Sequence, residues 1–419
     1  MIDRPGLWSW SSVLLLALST GVGAQEWTRF RGPNGTGLSD ATTIPTRWTE
    51  KDFNWKVELP GVGHSSPVLW GDRIFLTSAF EDTATRIVLC LDAADGKILW
   101  QRQFRFTLHG KHKFNSFASS TPAVDEERVY LTWSAPEEYT LLALDHEGND
   151  VWYADLGPFV GDHSGGTSPM VYEDLVVLGG DQGLSNGPPD ADSFLVAVDR
   201  RTGQRRWQTG RRTENAAYST PCVYQPDGQP AQLIFNSGAH GISGIDPRTG
   251  ETMWELDVLD KRSVSSPIVT AGLVFGTTGS GGGGHYLAAV RPPAPGSDGK
   301  PELVYGVPDL APYVPTLIAK DGLVFLWHDK GKVTCLRAAT GDELWSERVG
   351  GNFSGSPVIA GDRLYAIAEN GTVVVLAAGE KFELLGRNPL GEDSRSTPAV
   401  AGGRMYLRTL SHLISVGGK

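Results

Sequence analysis

The sequence predicts an all-β fold, an eight-bladed β-propeller of four-stranded antiparallel blades. Three observations predict it. A Ser/Thr-Pro step returns through the chain, a turn leading to a tryptophan returns with it, and the last unit lacks a strand that the N-terminal region can supply. A period of a few tens of residues is the signature of a repeat array, and short strands separated by turns distinguish a propeller from a helical solenoid.

The first strand of each unit follows the Ser/Thr-Pro step: "SSPV" at 65–68, "STPAV" at 120–124, "TSPMV" at 167–171, "STPCV" at 219–223 and "SSPIV" at 265–269. It continues as "VPTLI" at 314–318, "SGSPVI" at 354–359 and "STPAV" at 396–400, with the prolines 41 to 55 residues apart. A polar turn such as "GDR" (71–73) leads to a second β-rich run, "IFLTS" in the first unit and "LVFLW" in the sixth. The third run enters a tight turn and a fourth strand, as in "CLDAADGKILW" (90–100), "AVDRRTGQRRW" (197–207) and "GIDPRTGETMW" (244–254). Asp and Gly there are turn formers, with glycine where φ turns positive.

The eighth unit stops at Lys419 without its turn-to-Trp strand, whereas "FNWKVELPG" at 53–61 carries Trp55 in that place. An N-terminal strand is therefore expected to complete the last blade and close the ring, which removes two exposed sheet edges. The expected organisation is a signal peptide over residues 1–24, an extended leader strap over 25–52 and the propeller over 53–419. Arg4, the apolar run Val13–Leu18 and the small residues Val22 and Ala24 fit an export signal cleaved after Ala24. The expectation is a periplasmic or secreted protein, monomeric and without a membrane anchor, since that run is too short to span a bilayer.

The same alignment explains the three cysteines and the tryptophans. Cys90 and Cys335 each precede a blade tryptophan by ten residues, in a column held elsewhere by Ala143, Ala197 and Gly244. That column demands a small side chain, which buried cysteine provides. Trp55, Trp100, Trp152, Trp207, Trp254 and Trp345, with Tyr305 substituting once, are expected to fill the wedge between blades. A net charge of -11 argues against nucleic acid as a partner.

His64-Ser65-Ser66 invites reading as a base beside nucleophiles, but it is one copy of an eightfold element, and no catalytic residue is assigned. Function is better sought in the residues that vary just before each Ser/Thr-Pro step. His64, Tyr218, Arg262, Asn352 and Arg395 are expected to converge at the mouth of the axial channel and to suit a planar or anionic ligand. Two insertions are candidate partner-binding loops: 106–117, with His109, Lys111 and His112, and 181–194, with Asp181, Asp190 and Asp192. The second lacks the spacing of a calcium loop, and in the first the pair His109 and His112 can bind a metal but better fits a solvated basic loop, so no metal is assigned. "GSGGGG" at 279–284 is followed by a strand, not a helix, and makes no phosphate cradle.

With these repeats, the chain resembles the PQQ-like β-propeller repeat family; the carriers are the Ser/Thr-Pro starts and steps such as "LDAADGKILW" and "LRAATGDELW". The resemblance implies two trades. One is a BamB-like scaffold that assists outer-membrane protein assembly through protein contacts. The other is a quinoprotein dehydrogenase that oxidises alcohols or sugars with pyrroloquinoline quinone and calcium. The sequence lacks the adjacent cysteines typical of the second, so the expectation is a non-catalytic scaffold that binds proteins or peptides and needs no cofactor. The quinone-dependent oxidoreductase and a small-molecule or sugar sensor stand as alternatives.

Overall fold

The computed structural model describes residues 26–184, 191–294 and 299–418. The expected signal segment and Asp190 lie outside them. The described chain forms eight antiparallel sheets of four strands each, one of which gains a fifth, parallel strand. The first blade runs Val68–Trp70, Arg73–Phe80, Thr85–Asp92 and Ile98–Arg105, and the other seven follow the same meander. The eighth blade is closed as expected: Phe53–Glu58 pairs antiparallel with His412–Gly417.

Register explains the small-residue column. Cys90 lies opposite Trp100, Cys335 opposite Trp345, Ala143 opposite Trp152, Ala197 opposite Trp207 and Gly244 opposite Trp254. At Gly244 a Cβ would come within 2.2 Å of the Trp254 ring, so a side chain there has no room. All three cysteines are buried and unpaired, and burial pushes the Cys90 and Cys335 thiols up to about 12.

The large rings join each blade to the next. Indole N–H groups of Trp100, Trp152 and Trp207 donate to carbonyls of the following blade's turn, at His146, Arg200 and Pro247, over 2.8–2.9 Å. The ring of Trp152 lies so close to the turn glycine Gly203 (φ 71°) that a Cβ there would approach it to 2.7 Å. The turn needs glycine twice over, for its dihedral and for the ring laid upon it.

In the sixth blade the sequence alignment was two residues out of register. The innermost strand starts at Ile318, so Leu317 and not Pro315 fills the proline column. Val314 therefore stands three residues before that column, where His64 stands in the first blade.

The recurring hydroxyls have a structural task. Ser66, Thr121, Ser168, Thr220, Ser266, Thr316, Ser356 and Thr397 stand immediately before the innermost strands and are almost wholly buried apart from the rim they line. Seven junctions between neighbours carry the same bond, in which the amide of one of these residues donates to the hydroxyl oxygen of the next over 2.9–3.3 Å. The bonds run in one direction around the axis and return from Thr397 to Ser66. An amide left unpaired at these buried positions would cost about 1–3 kcal/mol, which accounts for the conservation of hydroxyls within this one chain.

The leader crosses the opposite end of the channel. Trp27 bridges to Leu69 of the first blade, and the Val124 amide of the second donates to the Thr28 carbonyl. Arg29 reaches the Pro221 carbonyl, Arg31 the Leu317 carbonyl, and Asn34 exchanges two bonds with Val223. Leu38–Ser39 then adds the parallel fifth strand beside Val358–Ala360. Trp27 is fully buried, and Gly32 (φ 66°) packs where a Cβ would meet its ring at 2.6 Å.

Candidate functional site

Above the leader, the channel opens as a funnel of about 890 Å³, a volume in the range of small-molecule and side-chain pockets. All five residues expected at the mouth line it: His64, Tyr218, Arg262, Asn352 and Arg395. Four elements make this possible. Innermost strands present the hydroxyl ring, the segments before them supply the five residues, the leader places Phe30 within the wall, and the loop at 106–117 contributes His112, Phe114 and Asn115.

That loop does not stand free at the rim. Asn115 donates to the carbonyls of His163 and Gly165, and Lys111 pairs with Glu81 at 3.0 Å. His112 stacks on His163 with ring centres 4.6 Å apart, and Phe114 lies 4.4 Å from the Arg395 guanidinium. His109 turns to the Thr107 carbonyl at 2.8 Å and to the Ser164 hydroxyl at 3.3 Å. The loop is thus a side of the funnel, leaving Phe114 half exposed at its edge. The second insertion is different. Asp181 is 6 % exposed and ion-paired with buried Arg211 at 3.3 Å, which takes it off any surface a partner could touch, while Asp192 is exposed. Two residues of that trio therefore differ in kind, and the third is not described.

His64 is no general base. Ser65 Oγ donates to the Thr77 carbonyl, accepts the Thr77 amide at 3.0 Å and receives the Arg408 guanidinium at 2.6 Å. The hydroxyl is committed on every side. Burial, with Arg408 and Arg395 adding like charge, pushes the His64 imidazole down to about 3. Its Nδ1 is buried without a hydrogen-bond partner, as is the hydroxyl of Tyr218 across the funnel. His163, beside Arg262 at 3.2 Å, is pushed down to about 4, by burial first and by that guanidinium second.

The charges lining the funnel are net positive although the chain is acidic: Lys261, Arg262, Lys330 and Arg395 stand against Asp260, Asp329 and Glu369. Arg29, Arg31 and Arg408 are buried to 6 % exposure or less, bonded to carbonyl and hydroxyl oxygens, and none is ion-paired among the described residues. Burial lowers their basicity to about 10, 9 and 9, values at which guanidinium remains charged at neutral pH. At the mouth, Arg395 pairs with Glu369 at 2.6 Å, and Arg262 contacts His163 and Asn215. Carbonyl dipoles orient such buried cations but cannot cancel their charge, so an anionic group entering the funnel would be favoured.

Lysines and acids of the funnel were not found from sequence. Lys261 sits beside predicted Arg262, and Asp329 lies in the sixth blade's second turn. Phe30 had a signal in the leader's aromatic residues, but nothing in one sequence says that the strap passes beneath the channel.

The fold and the funnel define an eight-bladed propeller of the PQQ-like repeat class. The family model described as outer membrane protein assembly factor BamB matches residues 48–286 and 310–412, and the chain belongs to that family. It is similar to the outer membrane protein assembly factor BamB of Yersinia pestis, 24 % identical over 346 residues, covering 80 % of this chain and 77 % of that protein. Among solved structures, BamB from Moraxella catarrhalis superimposes with a TM-score of 0.59 at 17 % identity, covering 87 % of this chain and 98 % of that one. Quinohemoprotein alcohol dehydrogenase from Comamonas testosteroni gives a TM-score of 0.69 at 15 % identity, covering 94 % and 80 %. At such identities the structural likenesses show the fold alone. No helix among the described residues is long and apolar enough to cross a membrane.

The quinone alternative can be tested on the donors present. Calcium takes about six to eight oxygen ligands. In the funnel, Glu369 Oε1 accepts from both Arg395 and Ser354 at 2.6 Å, so its charge is spent on a guanidinium. No three carboxylates converge among the described residues; the one trio of ligating side chains is His285, His328 and Asp329, two of which offer nitrogen. Calcium also accepts amide oxygens, which Asn115, Asn215 and Asn352 of the funnel offer, so titration with the quinone decides this alternative.

Proposed function

We propose that the protein is an exported, non-catalytic binding propeller, which takes an acidic chain end or side chain of a protein partner into the funnel. The observation that carries this reading is the set of buried guanidinium groups, outside any ion pair among the described residues, beside a net-positive funnel in a chain whose net charge is -11. Membership of the BamB family supports a protein partner and a place in the periplasm. Phe114 at the rim supplies an apolar contact, and the unpartnered Tyr218 hydroxyl and His64 Nδ1 supply a donor and an adaptable ring nitrogen.

Fluorescence anisotropy tests it with a labelled peptide bearing a glutamate-rich C-terminus, compared with the same peptide amidated and carrying glutamine. The acidic peptide is expected to bind more tightly, with an affinity that falls as salt rises. Arg262→Gln and Arg395→Gln are each expected to weaken it tenfold or more without altering the melting temperature. Equal binding of both peptides defeats the reading. One-to-one uptake of pyrroloquinoline quinone in calcium, measured by calorimetry, would replace it with the oxidoreductase alternative.

A further inference from the structure

Between the fifth and sixth blades, three ligating side chains meet that peptide binding does not require. His285 projects from the strand Gly283–Arg291, and His328 and Asp329 from the turn that follows Leu323–Trp327. The two imidazoles stack with centres 4.8 Å apart and planes 19° from parallel. One ligand atom from each of the three residues lies within 4.8 Å of the others, and all three side chains are partly buried.

Neighbouring backbone groups fix the ligand atoms. His285 Nδ1 lies 2.9 Å from the Ala311 carbonyl, which can only accept. The ring proton is therefore on Nδ1 and the lone pair on Nε2, the arrangement that outer contacts impose on metal-bound histidines. Both Asp329 oxygens accept amides, from Tyr313 at 2.7 Å and Val314 at 3.0 Å. These bonds orient the carboxylate and leave each oxygen a second lone pair. His328 Nδ1 accepts the Lys330 amide at 3.1 Å, so its lone pair is on Nδ1, held by one bond that an ion must displace.

We propose that His285, His328 and Asp329 form a site for one divalent transition-metal ion of the zinc or cobalt kind, in the wall between the fifth and sixth blades. Two imidazoles and a carboxylate suit such ions, whereas calcium and magnesium prefer oxygen throughout. Zinc–ligand bonds of about 2.0–2.1 Å place tetrahedral ligands about 3.4 Å apart. The present spread closes by rotation of the His328 ring away from the Lys330 amide. Asp329 also lines the funnel, so a fourth position on the ion is open to water or to a group bound there.

The test uses the untagged full-length chain after export, stripped with chelator and titrated with cobalt(II) alone. One cobalt per chain is expected, with visible absorption of a four- or five-coordinate ion, displaced by zinc and accompanied by a shift of the Lys330 amide resonance. Asp329→Asn is expected to weaken binding at least tenfold. His285→Gln, which keeps a donor for Ala311 while removing the imidazole, is expected to do the same with an unchanged melting temperature. His109→Ala and His112→Ala are expected to leave the affinity as it was. Absence of binding at micromolar metal overturns the proposal. So does binding that survives both site variants, or binding that His112→Ala abolishes. Peptide affinity is measured separately, so failure of the metal site and failure of the peptide reading give different results.

Discussion

A serine beside a histidine reads as chemistry only while its other contacts are unknown. Here Ser65 is engaged with Thr77 and Arg408, and His64 faces two cations. An imidazole whose folded value is depressed from 6.5 to about 3 stabilises the fold fully above its unfolded value and loses that contribution as pH falls from 6.5 toward 3. His64→Gln is therefore expected to flatten the decline of melting temperature across that window, measured by calorimetry at a series of pH values. In the unaltered chain, the His64 ring resonances are expected to show no titration above pH 5. Binding an anion beside the ring should bring its protonation upward, a shift that NMR follows directly. Sequence located His64 at the mouth because the residues before each proline vary. It could not show the neutrality, which comes first from burial and then from Arg408 and Arg395, hundreds of residues away in the chain.

At the scale of the strand, the repeats were legible because register is local. The small-residue column and the tryptophan column face one another across a hairpin of a few residues, so their spacing repeats in every blade that keeps both. Trp152, 9 % exposed and bonded to the Arg200 carbonyl, is expected to cost about 3–5 kcal/mol when cut to alanine, read from urea unfolding. A loss below about 1 kcal/mol would mean that the rings merely cover the turns. The loop at 106–117 was legible as an insertion and not as a wall. What folds it inward is Asn115 reaching the third blade's approach and Lys111 reaching Glu81, contacts without any local pattern. The sixth blade misled for the opposite reason. Pro315 imitates the column two residues early, while Leu317 does the work of the proline.

For the whole molecule, closure rests on the six residues Phe53–Glu58, which bring the start of the propeller beside its end. A chain beginning at residue 60 leaves His412–Gly417 as an open edge, next to the buried core of the eighth blade. Light scattering is expected to find that truncated chain in larger species than the full chain at the same concentration. The trio at the fifth and sixth blades had no trace in one sequence, since His285 and His328 are neighbours only once those two blades pack together. The strap under the axis has the widest consequence. It turns a tunnel into a cup, so a polymer cannot pass through; it can enter only by an end or by the tip of a tight bend, and must leave the way it came. The geometry thus sorts termini from the middles of chains, whatever their sequence, and leaves charge to choose among the termini.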